Sequence, residues 1–393
     1  YSDWWGRPEQ KPGDIPKYGG FYTQEEVRDI ITFAKERFIE VVPEIDMPGH
    51  AQATIAAYPE IGCVGAAQYV ATGGVNKNNT YNPGKEITYE FADKVLNEVM
   101  DLFPYEYIHI GGDECNKSQW MVDPYTIQKM EEEGLQSVEE LQSYFIKRIE
   151  KIINERGRSM IGWDEILEGG LAPNAVVMSW RGEEGGLKSA KAGHEVIMTP
   201  SKNSYLDLKQ GHDDQEPNLG YSYSFLKDAY SYKVIPENFS EEEASWIKGI
   251  QANLWTESIS DWGKLTYMVY PRVFAIAENA WTTESNKDWV AFSDKLLRAN
   301  QRLEKLEIRH AVSAFSPWIG HNGKSEAIEI NLHTEIPNLE IYYTTDGSEP
   351  AASSQPYSSP FTISESTTIK AKAFKDERPV GYVSELHFPI HLA

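Results

Sequence analysis

The chain has 393 residues, of which 40% are hydrophobic, and its 60 acidic against 37 basic residues give a net charge of −23. Nucleic acids and anionic membranes require a basic patch, so neither is expected as a partner. No apolar run is long enough to span a bilayer, and two cysteines cannot supply a disulfide framework. A chain of this size can bury a large core and hold one smaller unit as well.

Two segments combine a capping-box spacing with an apolar helical face. Thr23 and Glu26 have the spacing in the first segment, and Ser137 and Glu140 have it in the second. Apolar residues then recur at helical intervals, namely Val27, Ile30, Ile31 and Ala34 in the first and Leu141, Phe145, Ile149, Ile152 and Ile153 in the second. This pattern predicts an amphipathic helix at both places.

Short β-rich apolar runs predict strands, and most of them end in acidic or aromatic residues. The runs lie at about 39–46, 107–112, 158–163, 175–180, 195–199 and 249–255. Because strands alternate with helical patterns, we expect the parallel sheet of an α/β fold. In a barrel of that kind, ligand-binding residues sit at the carboxyl ends of the strands, where this chain concentrates Trp, Asp and Glu.

The run 107–112 is the most informative, because it ends in two glycines that are followed by two adjacent acids. Gly111 and Gly112 remove side chains where a ligand must approach the backbone. Holding Asp113 beside Glu114 raises the cost of ionising both, which suits one of them to act as a general acid near neutral pH. The pair indicates sugar chemistry. On the pair alone, a surface loop with two solvated acids is an equal alternative.

Six motifs, in order along the chain, resemble one known family. They are Pro43–His50, His109–Glu114, Gly162–Glu165, Ser179–Gly182, Tyr205–Asp207 and Trp255–Glu257. Together they resemble the β-N-acetylhexosaminidases of glycoside hydrolase family 20. The resemblance implies a (β/α)8 TIM-barrel catalytic domain and an exo-acting, retaining enzyme. Its expected partners are oligosaccharides or glycoconjugates ending in β-linked N-acetylglucosamine or N-acetylgalactosamine. The compartment is unknown from the sequence, and a periplasmic, secreted or surface-attached bacterial protein is favoured.

The resemblance also assigns the catalytic groups. In such enzymes the 2-acetamido group of the substrate attacks the anomeric carbon and forms an oxazolinium intermediate, so no protein nucleophile is needed. Glu114 corresponds to the general acid and base, and Asp113 to the carboxylate that orients the acetamido N–H and stabilises the positive charge. Tyr205 corresponds to the hydroxyl that donates to the acetamido oxygen. No cofactor is expected.

Five further residues match positions that bind the sugar in the family. Trp163, Trp180 and Trp255 would line a pocket for the N-acetyl methyl group and the apolar faces of the ring. Asp207 and Glu257 would hydrogen-bond the hydroxyls at the far side of the terminal sugar and so close the pocket. Considered singly, a tryptophan at a strand end is more often a core residue, and such acids are more often ordinary exposed ones.

His50 is grouped with the substrate-binding residues, because it matches a histidine that lies in a hydrogen-bond chain with the general acid and helps to set its protonation. A satisfied core histidine is the alternative, and it is the preferred interpretation for His109. A metal at His109, Asp113 and Glu114 is rejected, because the sequence has neither a His-Glu-x-x-His spacing nor a Cys/His cluster. Cys115 is interpreted as a small buried side chain.

The start of the chain departs from the family pattern. In the family, two strands precede the helix that begins near Thr23. They carry an arginine that binds sugar hydroxyls and a segment of the His-Trp-His-Leu-Thr-Asp-Asp type, and neither this arginine nor this segment is present in the sequence. Six strands are counted, where a complete barrel has eight. We therefore expect a truncated or incompletely recorded version of a longer protein. Two alternatives stay open: a non-catalytic glycan-binding protein, and a retaining glycosidase in which Glu165 or Glu257 is the nucleophile.

A second domain follows the barrel. The helical pattern ends near Ile308, and Pro317 and Gly323 precede segments of alternating pattern with turn residues at Asp346 and Gly347. The predicted domains are a catalytic barrel at 1–310, a linker at 311–323 and a small antiparallel β-sandwich at 324–393. The segment at 343–350 resembles the C-terminal domain of chitobiases. Bracing of the barrel is expected rather than carbohydrate binding, because no row of exposed aromatic residues is evident.

Overall fold

A computed structural model describes residues 15, 19–63, 70, 80–217, 222–323 and 327–389. The chain divides into two compact units. Among the described residues, the first unit comprises those within 15–200 and 235–249, and the second comprises those within 201–234 and 250–389.

The helices occur in both units. In chain order they are α1 (Gln24–Lys35), α2 (Gln52–Ala57), α3 (Glu86–Leu102), α4 (Pro124–Glu133), α5 (Val138–Glu155), α6 (Glu184–Lys191), α7 (Ser201–Ser204), α8 (Leu226–Ser231), α9 (Glu241–Ser245), α10 (Trp262–Val269), α11 (Arg272–Trp281) and α12 (Trp289–Lys305). Short 3-10 segments lie at Pro59–Ile61, Asp164–Leu167, Glu284–Asn286 and Ser313–Phe315. Among these described helices, none combines the length and the apolar character that crossing a membrane requires.

Both predicted capping sites begin helices, at α1 and at α5. Thr23 Oγ1 accepts a hydrogen bond from Glu26 N at 3.2 Å, and the Glu26 carboxylate accepts from Thr23 N at 2.7 Å, so a full capping box forms. At α5, Ser137 Oγ accepts from Glu140 N at 3.2 Å, whereas the Glu140 carboxylate accepts from Gln136 N at 2.6 Å. The sequence therefore predicts both helix starts correctly.

The two helices differ in how far their apolar faces are buried. On α5, four of the predicted apolar residues are fully buried, namely Leu141, Phe145, Ile149 and Ile153. On α1, Ala34 is the only buried residue, and Phe33 is 60% exposed. Within the described part of the chain, the apolar face of α1 is thus largely uncovered.

The first unit contains a five-stranded sheet. Its strands, in spatial order, are β1 (Tyr107–His109), β2 (Ser159–Trp163), β3 (Val176–Ser179), β4 (Val196–Met198) and β5 (Ile247–Ile250). Strands β1 to β4 pair in parallel, with Ile108 opposite Met160 and Gly162 opposite Val177. Helices alternate with these strands, as in part of a (β/α)8 barrel. The strands predicted at 107–112, 158–163, 175–180 and 195–199 are confirmed with shorter bounds.

The strand predicted at 39–46 is wrong. Only Glu44 pairs there, through an isolated parallel bridge to His109. Pro43 has no N–H to donate. Its carbonyl oxygen accepts a hydrogen bond from His109 N at 3.0 Å, and Ile45 N donates to His109 O at 2.9 Å. The segment still lies alongside β1 without forming a full strand.

The strand predicted at 249–255 is wrong in extent, because β5 ends at Ile250. Beyond it, Asn253 forms an isolated parallel bridge to Tyr205. Asn253 N donates to Ser204 O at 3.0 Å, and Leu206 N donates to Asn253 O at 2.7 Å. The backbone of Asn253 therefore finds its partners in the segment that follows α7.

The core of the first unit combines side chains from the sheet with side chains from α3 and α5. Its buried members include Leu96, Met100, Ile108, Ile110, Phe145, Ile149, Met160 and Val177. Burial of each such side chain contributes about 1.5–3 kcal/mol. A well-packed hydrophobic core therefore supports strands β1 and β2.

The second unit contains two antiparallel sheets. Their strands are β6 (Trp318–Asn322), β7 (Ile328–His333), β8 (Glu340–Thr344), β9 (Gln355–Pro356), β10 (Phe361–Ile363), β11 (Thr367–Lys375) and β12 (Arg378–Phe388), in the spatial orders β10-β7-β6 and β12-β11-β8-β9. Side chains from both sheets share one core, including Ile330, Leu332, Ile341, Tyr343, Ile369 and Phe388. The predicted antiparallel β-sandwich is confirmed. The domain boundaries at 1–310, 311–323 and 324–393 stay a prediction.

Candidate active site

The chain leaves β1 through two glycines whose backbone conformations other residues avoid. Gly111 has a φ of 68° and Gly112 a φ of 94°. A Cβ atom on Gly111 would lie 1.8 Å from Asp46 Oδ1, and one on Gly112 would lie 2.7 Å from Ile166 Cγ2. Glycine is therefore required at both positions, for its backbone freedom and for its small size.

Three side chains hold this turn through its backbone. His109 Nδ1 accepts a hydrogen bond from Gly111 N at 3.0 Å, and Asp46 Oδ1 accepts from Gly112 N at 3.2 Å. Gln142, on α5, donates from Nε2 to Gly112 O at 2.8 Å. His109 and Gln142 are fully buried. These contacts set the direction in which the chain presents the next two residues, which are the predicted acid pair.

His50 connects the two acids of the pair. Its Nε2 lies 3.4 Å from Asp113 Oδ2 and 3.4 Å from Glu114 Oε2. Hydrogen bonding to Asp113 and Glu114 raises the pKa of His50 to about 11, so the imidazolium is charged at neutral pH. His50 and Glu114 both have left-handed backbones, with φ of 47° and 45°. The structure thus brings together three of the predicted site residues.

The two acids differ in their surroundings. The Asp113 side chain is 14% exposed, and its Oδ1 atom is buried without a hydrogen-bond partner among the residues that the structure describes. The Glu114 side chain is 48% exposed. Asp113 therefore offers a buried acceptor, whereas Glu114 reaches into open space.

Two further acids beside the pair were missed by sequence reasoning. Burial raises the pKa of Glu44 to about 7 and raises that of Asp46 well above its usual range, and the charge of Asp113 adds to both effects. Glu44 and Asp46 are two residues apart on the segment that lies beside β1, so an extended backbone directs both side chains to one face. That period-two spacing in the Pro-Glu-Ile-Asp motif is the signal that could have found them.

His109 is a neutral support rather than a charged group. Burial lowers its pKa to about 3. Because Nδ1 accepts from Gly111 N, the ring proton is placed on Nε2. The expectation of a structural role for His109 agrees with these contacts.

Asp46, His50 and Asp113 place potential metal-ligand atoms within 4.8 Å of one another. A metal requires the neutral imidazole as ligand, whereas the two carboxylates of Asp113 and Glu114 favour the charged form of His50. The donor set therefore fits an ion-paired cluster better than a metal site.

Two of the predicted pocket tryptophans lie at the ends of neighbouring strands. Trp163 is 2% exposed, and its Nε1 donates to Glu44 Oε1 at 3.0 Å. Trp180 is partly buried, and its Nε1 donates to Glu165 Oε2 at 2.9 Å. The Trp163 and His109 ring centroids are 4.8 Å apart. Each indole ring is therefore held in place through its N–H group.

A chain of ion pairs joins the loops that follow β1, β2 and β3. Lys117 Nζ lies 2.9 Å from Glu168 Oε2, and Glu168 Oε1 lies 3.1 Å from Arg181 Nη1. Arg181 Nε donates to Asp164 Oδ1 at 2.5 Å, and Trp180 N donates to Asp164 Oδ2 at 3.0 Å. Because the Asp164 side chain is only 3% exposed, solvent and salt screen its contacts little.

The second unit carries the other predicted site residues. The rings of Tyr205 and Trp255 are 6.0 Å apart at an angle of 62°. Tyr205 and Asp207 are buried, at 6% and 7% exposure, and Glu257 is exposed. The structure thus brings Tyr205 and Trp255 together within this unit.

Arg272, fully buried on α11, supports the backbone around Tyr205. Its guanidinium donates to the carbonyl oxygens of Leu206, Ser224 and Met268 at 2.5, 3.0 and 3.1 Å, and it lies 3.4 Å from that of Tyr205. Burial lowers the pKa of Arg272 to about 10, so the side chain stays charged at neutral pH. Sequence reasoning missed this residue, because its role depends on tertiary contacts.

The parallel sheet, with an acid pair beyond the carboxyl end of β1, defines a barrel-type protein of the glycoside hydrolase class. The profile described as glycosyl hydrolase family 20, catalytic domain, matches residues 5–284, and the chain belongs to this family. A second profile, the chitobiase/beta-hexosaminidase C-terminal domain, matches residues 321–385. The family and the TIM-barrel fold class predicted from the sequence are confirmed.

Relatives with known names agree with this assignment. The beta-hexosaminidase of Porphyromonas gingivalis is 40% identical over 367 residues, which cover 92% of this chain and 47% of that protein. The beta-hexosaminidase of Vibrio furnissii is 38% identical over 273 residues, which cover 68% of this chain and 44% of that protein. The solved structure of a Vibrio harveyi exo-β-N-acetylglucosaminidase with N-acetylglucosamine is similar at a TM-score of 0.67 and 34% identity, covering 75% of this chain and 46% of the other. The chain thus spans less than half of the length of these three proteins.

Proposed function

We propose that the chain carries the catalytic machinery of an exo-acting, retaining β-N-acetylhexosaminidase. Its substrates are oligosaccharides or glycoconjugates that end in β-linked N-acetylglucosamine or N-acetylgalactosamine. The observation that carries the proposal is the position of His50, whose Nε2 lies 3.4 Å from both Asp113 Oδ2 and Glu114 Oε2 beyond the end of β1. Membership of glycosyl hydrolase family 20 supports it.

Asp113 receives the acetamido N–H of the substrate. Its buried Oδ1 has no partner within the described part of the chain, so a ligand donor can satisfy it. The contact of His50 with Oδ2 holds the carboxylate in place. As the acetamido oxygen bonds to the anomeric carbon, the negative charge of Asp113 stabilises the positive charge that spreads over the oxazolinium ring.

Glu114 transfers the proton. In the enzyme–substrate complex Glu114 holds a proton, and it gives this proton to the glycosidic oxygen while the bond from that oxygen to the anomeric carbon breaks, so that the leaving group departs as an alcohol. The resulting carboxylate then takes a proton from a water molecule that attacks the anomeric carbon and opens the oxazolinium. Two displacements at one carbon return the original configuration, which makes the reaction retaining.

The remaining predicted residues hold the sugar. The family resemblance assigns Tyr205 as the donor to the acetamido oxygen, and Trp163, Trp180 and Trp255 as contacts of the acetyl group and the ring. Asp207 and Glu257 accept hydrogen bonds from the distal hydroxyls. Positioning of this kind contributes several powers of ten to the rate, because the internal nucleophile is already in place.

The alternative with a protein nucleophile is not favoured for Glu165. One of its oxygens accepts from the Trp180 indole at 2.9 Å, and the other lies 3.7 Å from Arg181 Nε. A nucleophile needs a free oxygen directed at the anomeric carbon. The contacts of Glu165 support an anchoring role instead.

The test compares chromogenic β-N-acetylglucosaminides and β-N-acetylgalactosaminides with the plain β-glucoside as matched control. We expect hydrolysis of the acetamido sugars only, and strong inhibition by a thiazoline mimic of the oxazolinium. Glu114→Gln should lower kcat by about 10²–10⁴-fold, because the proton donor is lost. Equal hydrolysis of the glucoside, a trapped covalent glycosyl-enzyme, or binding of N-acetylglucosamine without turnover would each contradict the proposal.

A further inference from the structure

The two tryptophans of the first unit share one type of contact, since each indole N–H ends on a glutamate. Trp163 Nε1 donates to Glu44 Oε1 at 3.0 Å, and Trp180 Nε1 donates to Glu165 Oε2 at 2.9 Å. The glutamates are separate in sequence: Glu44 lies on the segment beside β1, and Glu165 on the 3-10 segment after β2. The same arrangement therefore occurs twice, on independent parts of the chain.

We propose that Glu44 and Glu165 are positioning residues that fix the rotation of the Trp163 and Trp180 rings and thereby determine which N-acyl groups the pocket accepts. This inference rests on the proposed function, because the acyl group belongs to the substrate proposed above. An indole turns about two side-chain torsions, and the χ2 torsion of an aromatic ring is broad. A hydrogen bond at Nε1, far from the backbone, removes that freedom.

The surroundings of Glu165 make it a rigid anchor. Its side chain is 9% exposed, and Arg181 Nε lies 3.7 Å from its second oxygen. The neighbouring Asp164 accepts from Trp180 N at 3.0 Å. Trp180 is thus tied to adjacent acids through both its backbone and its ring. The charged groups that face Glu165 are Arg181 and Asp164.

The surroundings of Glu44 are more open on one side. Its side chain is 36% exposed, and its Oε1 atom lies 3.4 Å from His109 Nδ1. The ring of Trp163 lies against that of His109, with centroids 4.8 Å apart. The His109 ring against one face and the hydrogen bond to Glu44 at the edge therefore restrict rotation of the Trp163 ring. Asp113, His50 and Asp46 are the titratable groups that act on Glu44.

Both glutamates titrate in an accessible range. Burial raises the pKa of Glu44 to about 7 and that of Glu165 to about 7. An ionised carboxylate accepts a hydrogen bond more strongly than a protonated one. Each indole bond should therefore strengthen as the pH rises through about 7.

The first test follows the indole Nε1–H signals of the ¹⁵N-labelled wild-type protein by NMR between pH 5 and pH 9, which bracket the two pKa values near 7. Trp163→Phe and Trp180→Phe assign the two signals. We expect both signals to move downfield with a midpoint near 7, and Glu165→Gln to abolish the movement of the Trp180 signal alone. In Glu44→Leu the Trp163 signal and in Glu165→Leu the Trp180 signal should move upfield, because the hydrogen bond is lost. Two signals that keep their wild-type positions in these variants would overturn the inference, and this result does not require catalysis.

The second test measures kcat/KM for chromogenic N-acetyl and N-propionyl glucosaminides. One methylene in an apolar pocket is worth about 10–200-fold in discrimination. Glu44→Leu and Glu165→Leu should each lower the acetyl preference by about tenfold, because the freed ring lets the longer acyl group enter. Glu165→Gln keeps an oxygen that accepts from the indole, so it should stay within about threefold of the wild type.

Glu150 provides the matched control. It is a glutamate of α5, 3% exposed, whose pKa is raised by burial, and it accepts from Asn174 N at 2.8 Å rather than from an indole. Glu150→Gln should leave the acyl preference unchanged. A wild-type protein without hexosaminidase activity would refute the proposed function. An active wild type whose acyl preference is unchanged in both leucine variants would overturn this inference alone.

Discussion

Gln142 Nε2 lies 2.8 Å from the carbonyl oxygen of Gly112, the residue directly before Asp113. Gln142→Leu leaves this carbonyl unpaired, which should cost about 1–3 kcal/mol in the free energy of unfolding. The loosened turn should also lower kcat by about tenfold or more with a smaller change in KM. Urea unfolding and steady-state kinetics measure the two effects. Gln128→Leu on the exposed side of α4 is the control, and it should change stability by less than about 0.5 kcal/mol.

Gly111→Ala should destabilise the protein, because the new methyl group meets Asp46 and the backbone φ is 68°. The left-handed conformation alone costs about 1–2 kcal/mol for a non-glycine residue. The overlap with Asp46 adds a further cost of about 1–3 kcal/mol. Thermal and urea unfolding measure the total. Adding Asp46→Ala to Gly111→Ala should recover part of the loss, and a double variant no more stable than Gly111→Ala would show that the overlap is not the cause.

The contribution of His50 to stability should depend on pH in a defined direction. Its pKa is about 11 in the folded protein, above the ordinary value of about 6.5 expected in the unfolded chain. The stabilisation is therefore fully present below about 6.5 and is lost as the pH rises towards 11. The difference in unfolding free energy between wild type and His50→Gln should shrink steadily across this window. A difference that stays constant with pH would contradict the ion-paired arrangement.

Arg272→Met should be strongly destabilising. The guanidinium donates to backbone carbonyls of the Tyr205 segment, of Ser224 and of Met268, and loss of these hydrogen bonds leaves several buried acceptors unpaired. We expect a loss of about 3 kcal/mol or more in urea unfolding, because unpaired buried polar groups are costly. Arg309→Met, which removes an exposed arginine from the same unit, is the control. A similar loss for both variants would contradict the assigned role.

Much of the fold could be predicted from the sequence, because the relevant signals are local. Four parallel strands of the first unit lie where apolar runs predict them, and Thr23 caps α1 as its spacing with Glu26 indicates. The segment around Pro43 could not be judged in this way. Its apolar residues resemble a strand, but the proline lacks an N–H, and the pairing depends on a neighbour far away in sequence.

The candidate site could be predicted from the sequence where its residues are adjacent in the chain. Asp113 and Glu114 can be recognised as candidates because they are adjacent acids that follow two glycines. Gln142 and Arg272 carry no such signal, because each acts through hydrogen bonds to the backbone of a distant segment. A glutamine or an arginine on a helix is usually a solvent-facing residue, and only the packed structure shows that these two are buried.

The ion pairs from Lys117 through Glu168 and Arg181 to Asp164 couple the motions of the loops that follow β1, β2 and β3. Three loops that follow separate strands cannot open one at a time without breaking a contact to a largely shielded charge. Amide hydrogens in these loops should consequently exchange with solvent as one cooperative group. The edge that these loops form should therefore be preassembled rather than made of three independently moving segments.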